Sequence, residues 1–367
     1  MTHTFTGENT PFFQQTNASG GAIKADYSPT LNLLVVAGNG GFGAYNLITT
    51  TKNGPWLGYS LTKPDTFPIS NVSDVSWSPV LNKFVVVGSK AIAASSDGVT
   101  WSSVATTFGA SDFYNDVMWS STLNKFIASG GIGGGSGRTL LATSTNGTTW
   151  VEVSTPWNVS QGVINDICYS PELGLWVAVG QKNNTTGTDN ILTSTDFVNW
   201  TSRVCALNAN ASGIIWSSSQ QKFYVSGINS PLTKQLCSSP NGISWTNIPT
   251  LFGSNPAVEV GYCNGIFSAE ESLFLCGTNF GFGTGAGRWK FMIQSDDWGS
   301  TWTLTNTSHD FEAWNGVYIS EWRRIYALGR GTRFPSTGVP KPTYAVWRAP
   351  IPAILSFFFD KKFALTS

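Results

Sequence analysis

Short apolar runs that end on glycine alternate with polar turns along the whole chain. The runs are ADYSPTLNLLVVAG, VSWSPVLNKFVVVG, VMWSSTLNKFIASG, ICYSPELGLWVAVG, IIWSSSQQKFYVSG, GIFSAEESLFLCG and GVYISEWRRIYALG, closing on Gly38, Gly88, Gly130, Gly180, Gly227, Gly277 and Gly329. Successive gaps range from 42 residues (Gly88 to Gly130) to 52 (Gly277 to Gly329). Each copy reads as a strand, a polar turn and a second strand, because aromatic and β-branched residues cluster on both sides of a turn-forming segment. After each glycine comes a variable loop and then, in most copies, a third apolar segment (AIAAS, TLLATS, NILTS, KQLCSS, KFMIQS) and a tight turn ending in Trp. Four short antiparallel strands per repeat, at a period of about 40–50 residues, predict the blades of a propeller.

The predicted fold is therefore all-β: a seven-bladed β-propeller of four-stranded antiparallel blades, filling residues 1–350 as a single domain. The last repeat offers only three strands (GVYIS, RRIYALG, TYAVWRA). The N-terminal THTFT is expected to close that blade, since closure removes an exposed sheet edge; AILSFFF at 353–359 is the other candidate. The apolar segment 351–367 lies outside the repeats and either packs on the rim or, through Ile351 to Phe363, makes an assembly contact.

The tight turns carry a family resemblance. SDDWGSTW (Ser295 to Trp302) fits the pattern S-x-D-x-G-x-T-W, SSDGVTW (Ser95 to Trp101) and STNGTTW (Ser144 to Trp150) are near variants, and STDFVNW, SPNGISW and TKNGPW are looser copies. The chain resembles the Asp-box, or bacterial-neuraminidase-repeat, propellers, a group that includes sialidases, plant-polysaccharide glycosidases, sortilin-type receptors and photosystem assembly factors. The resemblance implies Asp-box turns between third and fourth strands. Asp97, Asn146, Asp196, Asn241 and Asp297 would then have structural roles: the Asp or Asn hydrogen-bonds nearby amides, the Gly supplies positive φ and the Trp packs between blades.

Composition narrows the function classes. Only 11% of the residues are charged, and 21 basic residues balance 21 acidic ones, so neither nucleic-acid capture nor a basic membrane patch is expected. No apolar stretch approaches the roughly 20 residues of a membrane span. The N-terminus has no basic start followed by an apolar run, so no secretory signal is read there. The setting the composition suits is a virion or another extracellular assembly reached by a non-classical route. His3 and His309 are the only histidines, which excludes a multi-histidine metal site; no metal or cofactor is expected.

Strand order assigns the loops after each glycine, and those joining blades, to one face, the top, where a rigid scaffold tolerates variation. Long glycine-rich loops follow the glycines of the expected blades 6, 7 and 1, which adjoin in a closed ring. They bring Phe42, Tyr45, Phe280, Phe282, Trp289 and Phe334 into one candidate aromatic patch beside Arg288, Arg330 and Arg333. Aromatic faces stack on sugars or anchor protein partners, and arginine binds carboxylates in a fork; the alternative is that these side chains pin floppy loops. At the channel mouth, Asp74, Asp116 and Asp166 begin adjacent innermost strands. There they would hold a cation, act as acid and base, or cap backbone amides.

The resemblance implies, for a sialidase-like glycoside hydrolase, an arginine triad, a Tyr–Glu nucleophile pair and an Asp acid. No arginine occurs in the first 100 residues, and no Tyr–Glu pair is placed by motif. The reading is thus a non-catalytic recognition or structural propeller that binds a glycan or protein partner through the top loops of blades 6, 7 and 1. A sialidase-like glycosidase and an intracellular assembly factor are the alternatives.

Overall fold

The computed structural model describes residues 6–8, 21–39, 47–59, 72–89, 91–104, 112–132, 139–157, 162–181, 189–205, 207, 210–227, 236–248, 262–278, 290–304, 311–331 and 346–350. They form antiparallel four-stranded sheets in a propeller. In each sheet the innermost strand is followed outward by the second, third and fourth. The innermost strands are Gly21–Ser28, Val72–Ser78, Asp112–Ser120, Val163–Ser170, Ala211–Ser217, Tyr262–Ala269 and Phe311–Ile319. Each packs on the next, and Phe311–Ile319 packs on Gly21–Ser28 to close the ring.

The expectation of a seven-bladed β-propeller is corrected here to six blades among the described residues, each a complete unit of four consecutive strands, within residues 21–59, 72–104, 112–152, 163–203, 211–247 and 262–304. The remaining sheet is a composite of the chain's two ends. Phe311–Ile319, Arg324–Gly331 and Val346–Pro350 supply three strands, and Thr6–Glu8 pairs with the outermost of them, Thr6 opposite Arg348 and Glu8 opposite Val346. The reason is chain supply: the repeat ends one strand short, and a bare edge would otherwise remain. Residues 351–367 lie outside the described residues.

Because each blade is sandwiched between two others, its middle strands are apolar on both faces, which explains continuous runs in place of alternation. In blade 2, Phe84 and Val86 pack with Val35, Ala37 and Leu47 of blade 1, while Val85 and Val87 pack with Tyr114, Val117 and Phe126 of blade 3. The same logic joins the ends of the chain. Leu34, Val36 and Ile48 of blade 1 pack against Ile319, Trp322, Tyr326 and Leu328 of the composite sheet. Trp322 lies edge-on to Tyr27, ring centroids 5.0 Å apart, and donates from Nε1 to Asn32 Oδ1 at 2.9 Å.

The turns after the innermost strands share one device. The hydroxyls of Ser28, Ser78, Ser120 and Ser170 each accept the amide three residues on, at 3.0–3.1 Å. Each turn then ends on a left-handed residue, asparagine at 32, 82 and 124 and glycine at 174, the types that tolerate that conformation.

Trp322 is 4% exposed and holds the seam between first and last sheets, so Trp322→Ala should cost about 3–5 kcal/mol in urea unfolding. Val198→Ala, at a side chain 69% exposed, should change stability by less than about 0.5 kcal/mol. Equal effects of the two would remove the seam from the account of closure.

Candidate functional site

The channel mouth is built from a repeated irregularity in the innermost strands. Each strand carries a β-bulge near its start, and the register against the second strand slips at Ala22/Lys24, Val72/Asp74, Tyr114/Asp116, Ile164/Asp166, Ala211/Gly213, Cys263/Gly265 and Ala313/Asn315. The residues opposite the start of the bulge are the glycines that mark the repeat, Gly38, Gly88, Gly130, Gly180, Gly227, Gly277 and Gly329. A Cβ at Gly130 would lie 2.0 Å from the Phe113 carbonyl oxygen, and one at Gly180 would lie 2.1 Å from that of Val163. Glycine is therefore required by close backbone approach.

The first residue past each bulge occupies an equivalent position in the ring. In chain order these are Lys24, Asp74, Asp116, Asp166, Gly213, Gly265 and Asn315. The Lys24 ammonium reaches all three carboxylates: Asp116 Oδ1 at 2.5 Å, Asp74 Oδ2 at 3.2 Å and Asp166 Oδ1 at 3.5 Å. The side chains of Asp74 and Asp116 are 6% and 5% exposed, those of Asp166 and Lys24 18% and 21%.

The carboxylates also stitch one blade to the next. Asp74 Oδ2 accepts the Val117 amide at 3.0 Å and Asp166 Oδ2 the Ile214 amide at 3.0 Å. One layer further in, Asp26 Oδ2 accepts the Trp77 amide at 2.7 Å and Ser76 Oγ the Trp119 amide at 2.9 Å. Asp116 accepts no main-chain amide among the described residues and relies on Lys24. Beside this layer three asparagines form a relay, Asn115 Nδ2 to Asn165 Oδ1 at 3.1 Å and Asn165 Nδ2 to Asn210 Oδ1 at 2.8 Å.

Burial dominates the electrostatics. Desolvation pushes Asp116 and Asp166 up to about 7, with Lys24 opposing and the neighbouring aspartates reinforcing the shift. Asp74 is also raised by burial, and Asp26 rises to about 6 for the same reason. For Lys24, burial works against the charged form, but the attraction of Asp116, Asp166 and Asp74 outweighs it and holds the ammonium well above its ordinary value. The cluster is thus a half-buried cation among carboxylates whose last protons leave near neutrality.

The tight turns lie at the opposite end of the strands. In blades 2, 3, 5 and 6 a Ser hydroxyl donates to the Asp or Asn two residues on and accepts the amide of a following glycine: Ser95 with Asp97 and Gly98, Ser144 with Asn146 and Gly147, Ser239 with Asn241 and Gly242, Ser295 with Asp297 and Gly299. Asp196 makes the same amide contacts in blade 4, but Phe197 replaces the glycine at φ 60°. That backbone costs about 1–2 kcal/mol. It is offset by the buried ring, packed edge-on against Trp176 and Trp200 at 5.0 and 5.2 Å. Asp97 and Asp297 fall to about 2 and Asp196 also falls. Amides that hydrogen-bond the Asp97 carboxylate outweigh its partial burial, the Thr301 hydroxyl and amide lead for Asp297, and the Asn199 amide leads for Asp196.

Of the candidate residues, Asp74, Asp116 and Asp166 converge on one cation. Lys24 and Asp26 were not singled out by sequence reasoning. The only signal is that Lys24 stands in the first repeat where the next three copies carry Asp. Phe42, Tyr45, Phe280, Phe282, Arg288, Trp289, Arg333 and Phe334 lie outside the described residues. Arg330 is placed on a strand opposite Glu312. The loops bearing these residues leave from the end of the second strands, the end at which the Lys24 ring sits. Among the described residues no helix is long and apolar enough to cross a membrane, and no His, Cys, Asp and Glu group has the arrangement of a metal site.

Removing the cation leaves buried carboxylates uncompensated, so Lys24→Met should destabilise by about 3–5 kcal/mol at pH 8. The carboxyls have folded-state values above their unfolded ones, so the folded state binds the extra protons and stability falls as pH rises from about 4 through about 7. The Lys24→Met penalty should therefore shrink at pH 5. Denaturant titrations at pH 5 and pH 8 check this, and an equal loss at both would contradict it. Carboxyl NMR of the unsubstituted chain should show Asp116 and Asp166 titrating with apparent midpoints near 7; midpoints near 4 would show a solvated cluster.

Comparison with known proteins supports the propeller architecture. A structure of YCF48 bound to D1 peptide superposes with a TM-score of 0.61 at 14% identity, covering 97% of both chains. Streptogramin B lyase gives 0.61 at 9% identity over 94% of this chain and 97% of that one. The GH74 enzyme of Niastella koreensis gives 0.54 at 17% identity over 90% of this chain, which spans only 43% of the enzyme. At these identities the likeness is one of fold. No family model and no curated protein matches the chain.

Proposed function

We propose that this chain is an Asp-box propeller that acts by recognition without catalysis, binding an extended segment of a protein partner on the face at which the glycine-rich loops emerge. The observation that carries this reading is the commitment of the channel-mouth carboxylates. Asp74, Asp116 and Asp166 are spent on Lys24 and on the amides of neighbouring blades, which suits a rigid platform better than a pair of groups offered to substrate. The likeness to YCF48, solved with a D1 peptide, supports a peptide-like ligand. Phe42, Tyr45, Phe280, Phe282, Trp289 and Phe334 are the proposed apolar anchors, with Arg288, Arg330 and Arg333 as partners for carboxylates. Residues 1–350 are the proposed propeller domain, and the tail 351–367 makes the proposed assembly contact through Ile351 to Phe363.

A glycoside-hydrolase reading draws on the GH74 likeness and on carboxyls poised near neutrality. The same experiment separates the two. The purified chain is screened on a peptide array and a glycan array, beside a panel of fluorogenic sialosides and glycosides at several pH values. Peptide binding lost in the double variant Trp289→Ala, Phe334→Ala, by at least about a hundredfold for two anchor residues, is the expected result. Binding unchanged in that variant would overturn the proposed surface, and turnover that disappears in Asp116→Asn or Asp166→Asn would make the protein an enzyme.

A further inference from the structure

The Ser-x-Asp turns of blades 2 to 5 share one length, and the turn of blade 6 is one residue longer. SDDWGSTW holds eight residues where SSDGVTW holds seven. The extra residue places Trp298 at φ 57°, a left-handed backbone that a bulky side chain rarely adopts. Its half-exposed ring lies 5.3 Å from that of Tyr224 on blade 5, tilted by 34°. Between the two blades opens a cleft of about 530 Å³, within the usual range of ligand sites.

The cleft's chemistry is specific. Trp298 supplies an aromatic face, and Ile248 packs on the same side. Asn247 Oδ1 is buried without a hydrogen-bond partner, so it lacks a donor. The Ser238 hydroxyl and the exposed Lys222 ammonium also line the cleft. A buried acceptor without a donor is unfavourable, and strained backbone concentrates where ligands are clamped. A fitting ligand must present an apolar face to indole, a hydroxyl to Asn247 and an oxygen to Lys222.

We propose that this cleft is a carbohydrate site in which a pyranose ring stacks on Trp298 and a sugar hydroxyl hydrogen-bonds the Asn247 carboxamide. Axial C–H groups of the sugar cover the indole while its equatorial hydroxyls meet Asn247, Ser238 and Lys222. Tyr224, raised to about 12 by burial, stays a neutral phenol beneath the indole. The site lies on the face opposite the glycine-rich loops and stands apart from the recognition surface proposed above.

Isothermal titration and saturation-transfer NMR with cellotriose, maltotriose and chitotriose test it on the intact chain. At least one trisaccharide should bind, and binding should fall by at least about tenfold in Trp298→Gly. Glycine suits the left-handed backbone at 298, so that variant removes the ring without straining the turn. Asn247→Leu should weaken binding as well, while the Trp289→Ala, Phe334→Ala double variant should leave it unchanged. No binding by any of the three sugars, or binding that survives in Trp298→Gly, would overturn the site.

Discussion

The fold depends on the meeting of a glycine with a bulge in each sheet. Where the innermost strand gains a residue, its backbone swings against the second strand, and at Gly130, Gly180 and Gly227 a methyl group would sit within 2.3 Å of a carbonyl oxygen. That single approach has two effects. It sharpens the local twist of the strand, and it turns the next side chain toward the channel. The amides that follow, at Val117 and Ile214, then face the carboxylates of the preceding blade. Backbone sterics inside one blade thereby set up the polar contacts between blades.

The ring these side chains form is uneven, and the unevenness follows from charge. Three adjacent aspartates cannot be buried as anions without a cation, and Lys24 supplies one from the preceding blade. Further round, Gly213 and Gly265 take the same position, and a Cβ at Gly265 would lie 2.1 Å from the Trp314 carbonyl oxygen. The ring is therefore held by charge through blades 1 to 4, whereas at Gly265 backbone packs directly on backbone. Burial displaces Asp116 and Asp166 toward neutrality, and with one cation among three carboxylates the neighbouring aspartates add to that rise while Lys24 opposes it.

Much of the architecture is legible in the chain because the same steric demands recur in every repeat. The glycine opposite the bulge in every repeat, and the serine that opens the inner turn and the Ser-x-Asp turn in most, each solve a backbone problem, and a backbone problem that recurs leaves a periodic trace. Contacts that occur once leave none. Lys24 is one lysine among many until the register aligns it with Asp74, Asp116 and Asp166. Asp26 occupies a position that holds Ser76 in the next repeat and an apolar side chain, Met118, in the one after. Phe197 and Trp298 read as imperfect copies of a turn, yet each takes a left-handed backbone and puts a ring where most copies have nothing. The composite sheet is legible as a last repeat one strand short, and the N-terminal segment expected to complete it does so through Thr6–Glu8.

Departures from a repeat divide into two physical kinds. Phe197 is compensated within its own structure: the ring is buried between Trp176 and Trp200, and the gain in packing accounts for the strained backbone. Trp298 is not closed off in this way. Its ring remains half exposed above Tyr224, and Asn247 beside it keeps an acceptor without a donor. A repeat protein can relieve such a defect by restoring the common turn, since the neighbouring copies show that the common turn fits. Strain kept at one blade, facing solvent and paired with an unsatisfied acceptor, is better explained by a molecule that completes the site than by the stability of the fold.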